Sequence, residues 1–328
     1  MATVLDARGW DCGNMMLNAP DYSGEVAISS THYTGAYSLR LDPLNVSWVR
    51  WTITGTPANP SCSVWLYLGT YDDSDKTRLQ FLLGTGEYIG LRWDSANHTF
   101  DAYVDGAKVA DGTVEVSTHG WFHVQFYAVI DDAGSIGVKI NGHQSIDYSG
   151  DTQPGVATGA TYLYVTTVLD LWARRYIYID NLVIGSGGYL GDLRCVDIRP
   201  NADTAQDDWT PSAGDNYSTI DETPASDADY NETNTDAQAD ELAMGDFDGA
   251  TYDPRATVAW VRAKMLAATG DSIKVGVDSN GTDDTTEHAL STDEEYYFHT
   301  NDDNPDDSAA WEDADIDALK LRYESVIA

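Results

Sequence analysis

Trp121-Phe122-His123-Val124-Gln125-Phe126-Tyr127, followed by Ile136-Gly137-Val138-Lys139-Ile140-Asn141-Gly142, is the stretch that decides the fold. Side chains repeat with a period of two, which places successive residues on opposite faces of a β-strand. The stretch is rich in β-branched and aromatic residues, which suit a pleated, half-buried surface. It closes on Asn141-Gly142, a pair that accepts positive φ at both positions and so makes a two-residue hairpin turn. The same pattern spreads outward in both directions, from about residue 25 to 185, with turn residues about every 8–12 positions. Upstream lie Trp48-Val49-Arg50-Trp51-Thr52-Ile53, Ser63-Val64-Trp65-Leu66-Tyr67-Leu68, Leu79-Gln80-Phe81-Leu82-Leu83 and Tyr88-Ile89-Gly90-Leu91-Arg92-Trp93. Downstream lies Tyr176-Ile177-Tyr178-Ile179-Asp180-Asn181-Leu182-Val183-Ile184, and Asp105-Gly106 supplies a second hairpin turn. About a dozen short strands without a long helix predict a β-sandwich.

The order Trp93, Phe100-Asp101-Ala102-Tyr103-Val104-Asp105-Gly106, Gly120-Trp121-Phe122-His123-Val124, Gly137-Val138-Lys139-Ile140-Asn141-Gly142 and Tyr178-Ile179-Asp180-Asn181-Leu182 resembles the concanavalin A-like, laminin-G-like jelly rolls. The resemblance covers residues 1–188 and implies the fold, not an activity. The glucanase branch of that superfamily carries a Glu-x-Asp-x-x-Glu or Glu-x-Asp-x-Glu strand, whose alternate carboxylates sit at the roughly 5–5.5 Å needed for retaining hydrolysis. No such strand occurs in this chain, so no enzyme is expected.

Gly185-Ser186-Gly187-Gly188 marks a boundary, and residues 189–328 are expected to form a second, smaller β-sandwich. Residues 201–253 hold 15 acids and no base, which predicts an exposed, irregular segment. Thr257-Val258-Ala259-Trp260-Val261-Arg262-Ala263-Lys264, Ser272-Ile273-Lys274-Val275-Gly276-Val277 and Glu295-Tyr296-Tyr297-Phe298-His299 read as strands, as does Ile316 to Glu324. In the first and last of these, apolar spacing does not separate strand from helix. The order Leu190-Gly191-Asp192, Pro200-Asn201, Trp209-Thr210-Pro211-Ser212, Asn216-Tyr217, Asp221-Glu222 and Trp311 through Leu319 is similar to the C-terminal half of tailed-virus structural proteins.

The chain carries 43 Asp and 11 Glu against 6 Lys and 12 Arg, a formal charge of -36. Such a domain repels itself in dilute buffer, whereas at molar salt the Debye length shrinks to about 3 Å. The replacement of Lys by Asp resembles proteins of extreme halophiles and their viruses. Residues 1–200 have 22 acids and 12 bases, while residues 201–328 have 32 acids and 6 bases. Nucleic acid is not an expected partner, because phosphate contacts need clustered Lys and Arg, and an anionic membrane is excluded on the same ground. The N-terminus shows no basic n-region followed by an apolar run, so synthesis in a host cytoplasm without export is expected. Cys12, Cys62 and Cys195 form no C-x-x-C pair and are expected to be small buried hydrophobes.

Candidate chemistry is sparse. Trp172 with Asp170, Arg174 and Arg175 is a basic-aromatic cluster of the composition a sugar site needs, an aromatic platform beside planar donors; an edge strand pairing its arginines with acids fits the same residues. The acidic turn containing Asp278, Asn280 and Asp283 offers oxygens for a structural calcium or other cation, although no full twelve-residue loop is present. No other cofactor is expected. His119 and His123 flank Trp121, but no third ligand completes a metal pattern. The family resemblance implies a non-enzymatic virion structural protein of a tailed virus with a halophilic host. Its expected place is the external virion surface, as a capsid decoration or turret component among other virion proteins, and as a homo-oligomer with the trimer as candidate state. The alternative is a tail-fibre or spike module that binds a host-surface glycan.

Overall fold

The computed structural model describes residues 3–8, 21–23, 25–34, 37–42, 47–69, 78–84, 86–116, 119–153, 155–166, 176–222, 226, 228–249 and 253–328. The chain divides into two compact units, Met1–Val196 and Asp197–Ala328.

The first unit is a jelly roll of two antiparallel sheets. One has eight strands, running His143–Gly150, Gly134–Ile140, Trp121–Val129, Pro60–Leu68, Ile177–Ser186, Ser38–Asp42 and Glu25–Ser29, with Thr3–Arg8 added along Ile177–Ser186. The other has seven, running Ala107–Ala110, Thr99–Val104, Tyr88–Asp94, Arg78–Leu83, Ala160–Thr166, Trp48–Thr52 and Asp21–Ser23. The period-two reading holds along these strands. Phe122, Val124 and Phe126 from the first sheet are buried together with Leu79, Phe81, Leu91 and Phe100 from the second. Phe81 stacks on Phe126 across the sandwich at 4.7 Å between centroids, so the two sheets meet face to face. Asp105-Gly106 and Asn141-Gly142 both take positive φ, as their hairpins require.

The closing strand contains a built-in irregularity. Its register against Pro60–Leu68 slips between Asp180 and Val183, and Asn181 sits at φ 47°. The two residues that form this bulge bond to neighbouring segments. Asp180 Oδ2 accepts the amides of Tyr33 (2.9 Å) and Thr34 (3.2 Å), and Asn181 Oδ1 accepts that of Cys195 (2.8 Å). Buried carboxylate and amide groups of this kind must be satisfied, and here loop backbones do it.

After that strand, residues 189–195 run as a strap over the outer face of the eight-stranded sheet. Tyr189 packs edge-on against Tyr127 and beneath Lys139, with Gln144 Nε2 donating to its hydroxyl at 2.8 Å. Gly137 makes room for the tyrosine, since a Cβ there would lie 2.6 Å from the Tyr189 oxygen. Gly191 N donates to Gln125 Oε1 (2.9 Å), Ser63 Oγ donates to Gly191 O (2.9 Å), and Trp65 Nε1 donates to Asp192 (3.1 Å).

The second unit is also all β. Its five-stranded sheet runs Pro200–Asp207, Ala239–Met244, Lys320–Val326, Ser272–Ser279 and Thr282–Ala289, beside a two-stranded ribbon of Thr257–Ala263 and Glu295–Asn301. Ala259 and Tyr297 from the ribbon share a core with Leu242, Val275, Val277 and Leu321 from the sheet. The ambiguous segments resolve as strands, with a short helix, Asp313–Asp317, ahead of the last one. Residues 201–253 depart from the irregular segment expected, because they contribute two strands of the main sheet and a two-residue pair, Thr210–Pro211 with Asn231–Glu232. The acids here act as acceptors for backbone and side-chain donors. Asp203 takes the amides of Asn216 (3.0 Å) and Tyr217 (2.7 Å). Asp240, fully buried, takes the Trp209 amide (2.9 Å), Asn216 Nδ2 (2.7 Å) and the Tyr323 hydroxyl (2.6 Å). Among the described residues, no helix is long and apolar enough to cross a membrane.

Candidate functional site

Trp172, Asp170, Arg174 and Arg175 all lie outside the described residues, as does Cys12. Cys62 is fully buried, and burial pushes its thiol far above the ordinary range, which makes it inert; Cys195 is only half-buried.

The candidate cation turn proves to be a hairpin. Asn280 and Gly281 take positive φ between the paired residues Ser279 and Thr282, so asparagine is there for its backbone tolerance. Its side chain donates to Asp306 at 3.0 Å. Asp278 and Asp283 do converge, with Glu241, on one point. Two cations already stand among them. Lys320 Nζ lies 2.7 Å from Asp278 and 2.9 Å from Glu241, and Arg322 lies 2.7 Å from Glu241 and 3.1 Å from Asp283. A divalent ion would have to displace both, so the three carboxylates are read as half of an ion-pair lattice.

His119 and His123 are not brought together as ligands. His119 is exposed in a turn at φ 63°, whereas His123 is buried at 3 % exposure on the adjoining strand. Its Nε2 lies 2.7 Å from Ser63 Oγ. Burial holds the imidazole below its usual range; Asp192 opposes that shift and Arg194 adds to it. The serine proton is committed to Gly191 O and the strap covers the pair, so this is an anchor, not an activated nucleophile. A groove of about 350 Å³ beside the strap, lined by Asn59, Tyr127, Val129, Ser135 and Tyr189, offers no cluster of ionisable groups.

The outer face of the seven-stranded sheet is different. Its strands put every second side chain outward, and their registers align those side chains in rows perpendicular to the chain. One row reads Arg50, Tyr164, Gln80, Gly90, Tyr103. The next reads Trp48, Thr166, Arg78, Arg92, Asp101, and a third Thr52, Tyr162, Leu82, Tyr88. With strands about 4.8 Å apart, the five-residue row spans about 19 Å.

Aromatic rings carry the arginines. Arg50 lies over Tyr162 at 4.3 Å and Arg92 over Tyr103 at 4.1 Å, while the Arg92 Nη2 donates to the Tyr88 hydroxyl. Trp48 and Tyr164 rings sit 5.5 Å apart. Burial raises the Tyr164 phenol above its usual range, against the pull of a Thr166 hydrogen bond and of Arg78 and Arg50. Gln80 lies in the notch left by Gly90, where an added Cβ would come within 2.6 Å of Gln80 Cγ. The glutamine is 4 % exposed, yet its Nε2 has no hydrogen-bond partner among the described residues. The Nε groups of Arg78 and Arg92 are buried and unpartnered in the same sense. Among the described side chains of the three rows Asp101 is the one carboxylate. It stands at the edge, held by Lys108 (3.3 Å) and the Gly112 amide (3.0 Å). Among its described side chains the face is therefore rich in donors and aromatic rings and poor in carboxylates, with Asp21 paired to Arg50 by register at the sheet edge. The strands expected from the sequence include Trp48–Thr52, Gln80 and residues 88–92 but miss Arg78 and the whole strand Ala160–Thr166, with Tyr162 and Tyr164; the signal for the site is the shared parity of Arg78, Gln80, Tyr88, Gly90 and Arg92.

No family model and no curated protein sequence matches the chain. Solved structures do, over a share close to the length of the first unit. The cellulose-induced protein Cip1 is 14% identical with a TM-score of 0.45, over 58% of this chain and 99% of that one. Domain 4 of AbnA, a GH43 extracellular arabinanase from Geobacillus stearothermophilus solved with arabinotriose, is 18% identical with a TM-score of 0.44, over 57% and 94%. An endo-β-1,4-glucuronan lyase from the fungus Trichoderma reesei is 11% identical with a TM-score of 0.42, over 56% and 96%. These likenesses concern the fold, a β-sandwich of jelly-roll type. They also overturn the expectation of a non-enzyme. That expectation rested on the missing glucanase carboxylate strand. Structures of this fold include the glucuronan lyase, alginate lyases and a phage carbohydrate esterase, so the missing strand does not exclude catalysis.

Proposed function

We propose that the first unit is a glycan-binding module whose site is the outer face of the seven-stranded sheet. The observation that carries this is Gln80: a buried amide donor without a partner among the described residues, set in the Gly90 notch between Tyr164 and Tyr103. An unpaired buried donor costs about 1–3 kcal/mol, a cost that a ligand hydroxyl or carboxyl oxygen removes. The tyrosine and tryptophan rings around it give apolar faces for sugar C–H groups, and the arginines and the glutamine give planar donors. A host-surface glycan is the partner this reading proposes. The virion-decoration reading rests on the sequence resemblance alone.

Binding of the full chain to an immobilised glycan panel at molar salt tests the site. Gln80→Ala is expected to weaken binding by about tenfold, the worth of one buried hydrogen bond, with the thermal midpoint unchanged or raised. Binding that survives in the double variant Gln80→Ala, Tyr103→Ala would remove the site from this face.

A further inference from the structure

Resting on the glycan reading of that face, we infer that its ligand is a polyanion. The glycan bears carboxylate or sulfate groups, and its chain lies across the strands along the row from Arg50 to Tyr103.

The first argument is the pairing of cations. The chain has 54 acids and 18 bases, and its cations divide between those that hold a carboxylate and those that lie on rings, as Arg40 does on Tyr176 and Lys139 on Tyr189. Lys108, Arg199, Lys264, Lys274, Lys320 and Arg322 each hold a carboxylate within 3.3 Å. Arg78 and Arg92 hold none among the described residues. They are register partners on adjacent strands, and like charges directly opposite each other in a sheet are destabilising. An anion placed between them removes that repulsion, which a neutral sugar would leave in place.

The second argument is donor geometry. The Nε of each arginine is buried and unpartnered. Nε together with a terminal nitrogen forms the fork that grips a carboxylate or sulfate through two parallel bonds. Gln80 lies two residues along the strand from Arg78, on the same face, and its Nε2 offers the same acceptor a further donor.

The third argument concerns competition with the body charge. A polyanion approaching a protein of charge -36 is repelled at long range, so its binding depends on contact and on screening salt. Arg78 and Arg92, facing each other across one strand pairing, are a local reversal of that charge. They are too few to neutralise a nucleic-acid backbone phosphate by phosphate, and the hydroxyl-matching amide and the ring faces favour sugar.

The test compares full-length protein at about 1 M salt, where the Debye length is about 3 Å. The probes are a neutral β-glucan, a polyuronate, a sulfated glucan and a single-stranded oligonucleotide. A polyuronate or sulfated glucan is expected to bind at least about tenfold tighter than the neutral polymer. Methyl-esterifying the polyuronate and desulfating the glucan identify which anion is responsible. Arg78→Gln with Arg92→Gln should bring the ratio close to one, and removal of the facing charges should leave the thermal midpoint unchanged or higher. Equal or tighter binding of the neutral glucan by the wild type would overturn the polyanion while leaving the glycan site standing. Binding of the oligonucleotide as tight as that of the acidic glycans would overturn it too. Failure to bind any of the glycans would end the glycan reading itself.

Discussion

The outer face of the seven-stranded sheet in the first unit and the five-stranded sheet of the second use their cations in opposite ways. In the second, Arg322 reaches Glu241, Asp283 and Glu324 at 2.7, 3.1 and 3.0 Å. Lys274 holds Glu324 at 2.6 Å, and Lys320 bridges Glu241 and Asp278. Three of the six bases in residues 201–328 are thus bound into one lattice spanning four strands. In the first, Arg92 lies over Tyr103 with Arg78 opposite it, and the Nε groups of both have no partner among the described residues. Cations satisfied internally stabilise a sheet. Cations that face one another beside an amide donor with no partner among the described residues are, on the proposed reading, arranged for a ligand.

The largest effect expected from breaking this contrast falls on the lattice. Arg322→Ala strands Asp283 and takes one of two cations from Glu241 and from Glu324, and should cost the second unit about 3 kcal/mol, since removing one member of a largely buried ion-pair group leaves charge uncompensated. Denaturant unfolding, with hydrogen exchange followed along Lys320–Val326, measures it, and glycan binding should not change. Next in size, Gly90→Ala tests the face. The added Cβ would also lie 2.9 Å from the Leu79 carbonyl oxygen, so Gln80 must lift out of its notch. Binding is expected to fall about tenfold for a stability loss of about 1 kcal/mol, the lower end of overpacking costs, as read by calorimetric titration beside a thermal scan. The smallest effect is acid dependence. Lys274, ahead of Arg322, holds Glu324 below the usual carboxylate range. A depressed carboxyl adds stability above its unfolded-state value and loses it as pH falls through the folded one. Burial raises Asp283, which works in the opposite sense. Replacing Lys274 by Gln removes the larger pull on Glu324, so the second unit should lose stability less steeply between about pH 5 and 3 than the wild type. Unfolding midpoints across that window decide it.

The jelly roll was legible because its signals are local. Phe122, Val124 and Phe126 alternate with Trp121, His123 and Gln125, and Asn141-Gly142 can turn a hairpin wherever it occurs. The site was not, because it depends on which strands are neighbours. Arg78 and Arg92 are fourteen positions apart in sequence and become opposed only through the register of one pairing. Gln80 and Tyr164 meet through another, with a sequence separation that no motif spans. The acid-rich stretch from 201 to 253 misled for a related reason. Composition makes Asp203 and Asp240 look like solvated charge, whereas the fold spends them as acceptors for Asn216, Tyr217, Trp209 and Tyr323. Asn280 misled by chemistry: the residue type that suits a cation loop also suits a left-handed turn, and nothing in the neighbouring residues tells the two apart.

The strap from Tyr189 to Cys195 has a mechanical consequence. It is the route by which the backbone leaves the first unit, and it is fastened by side chains from Pro60–Leu68, Trp121–Val129, Gly134–Ile140, His143–Gly150 and Ile177–Ser186. Tension applied to the chain beyond Val196 therefore meets the Cys195, Asp192, Gly191 and Tyr189 fastenings in turn before it reaches the hydrogen bonds of the closing strand. The load is divided over five strands of one sheet, and the opposite sheet, with its row of rings and donors, is spared it.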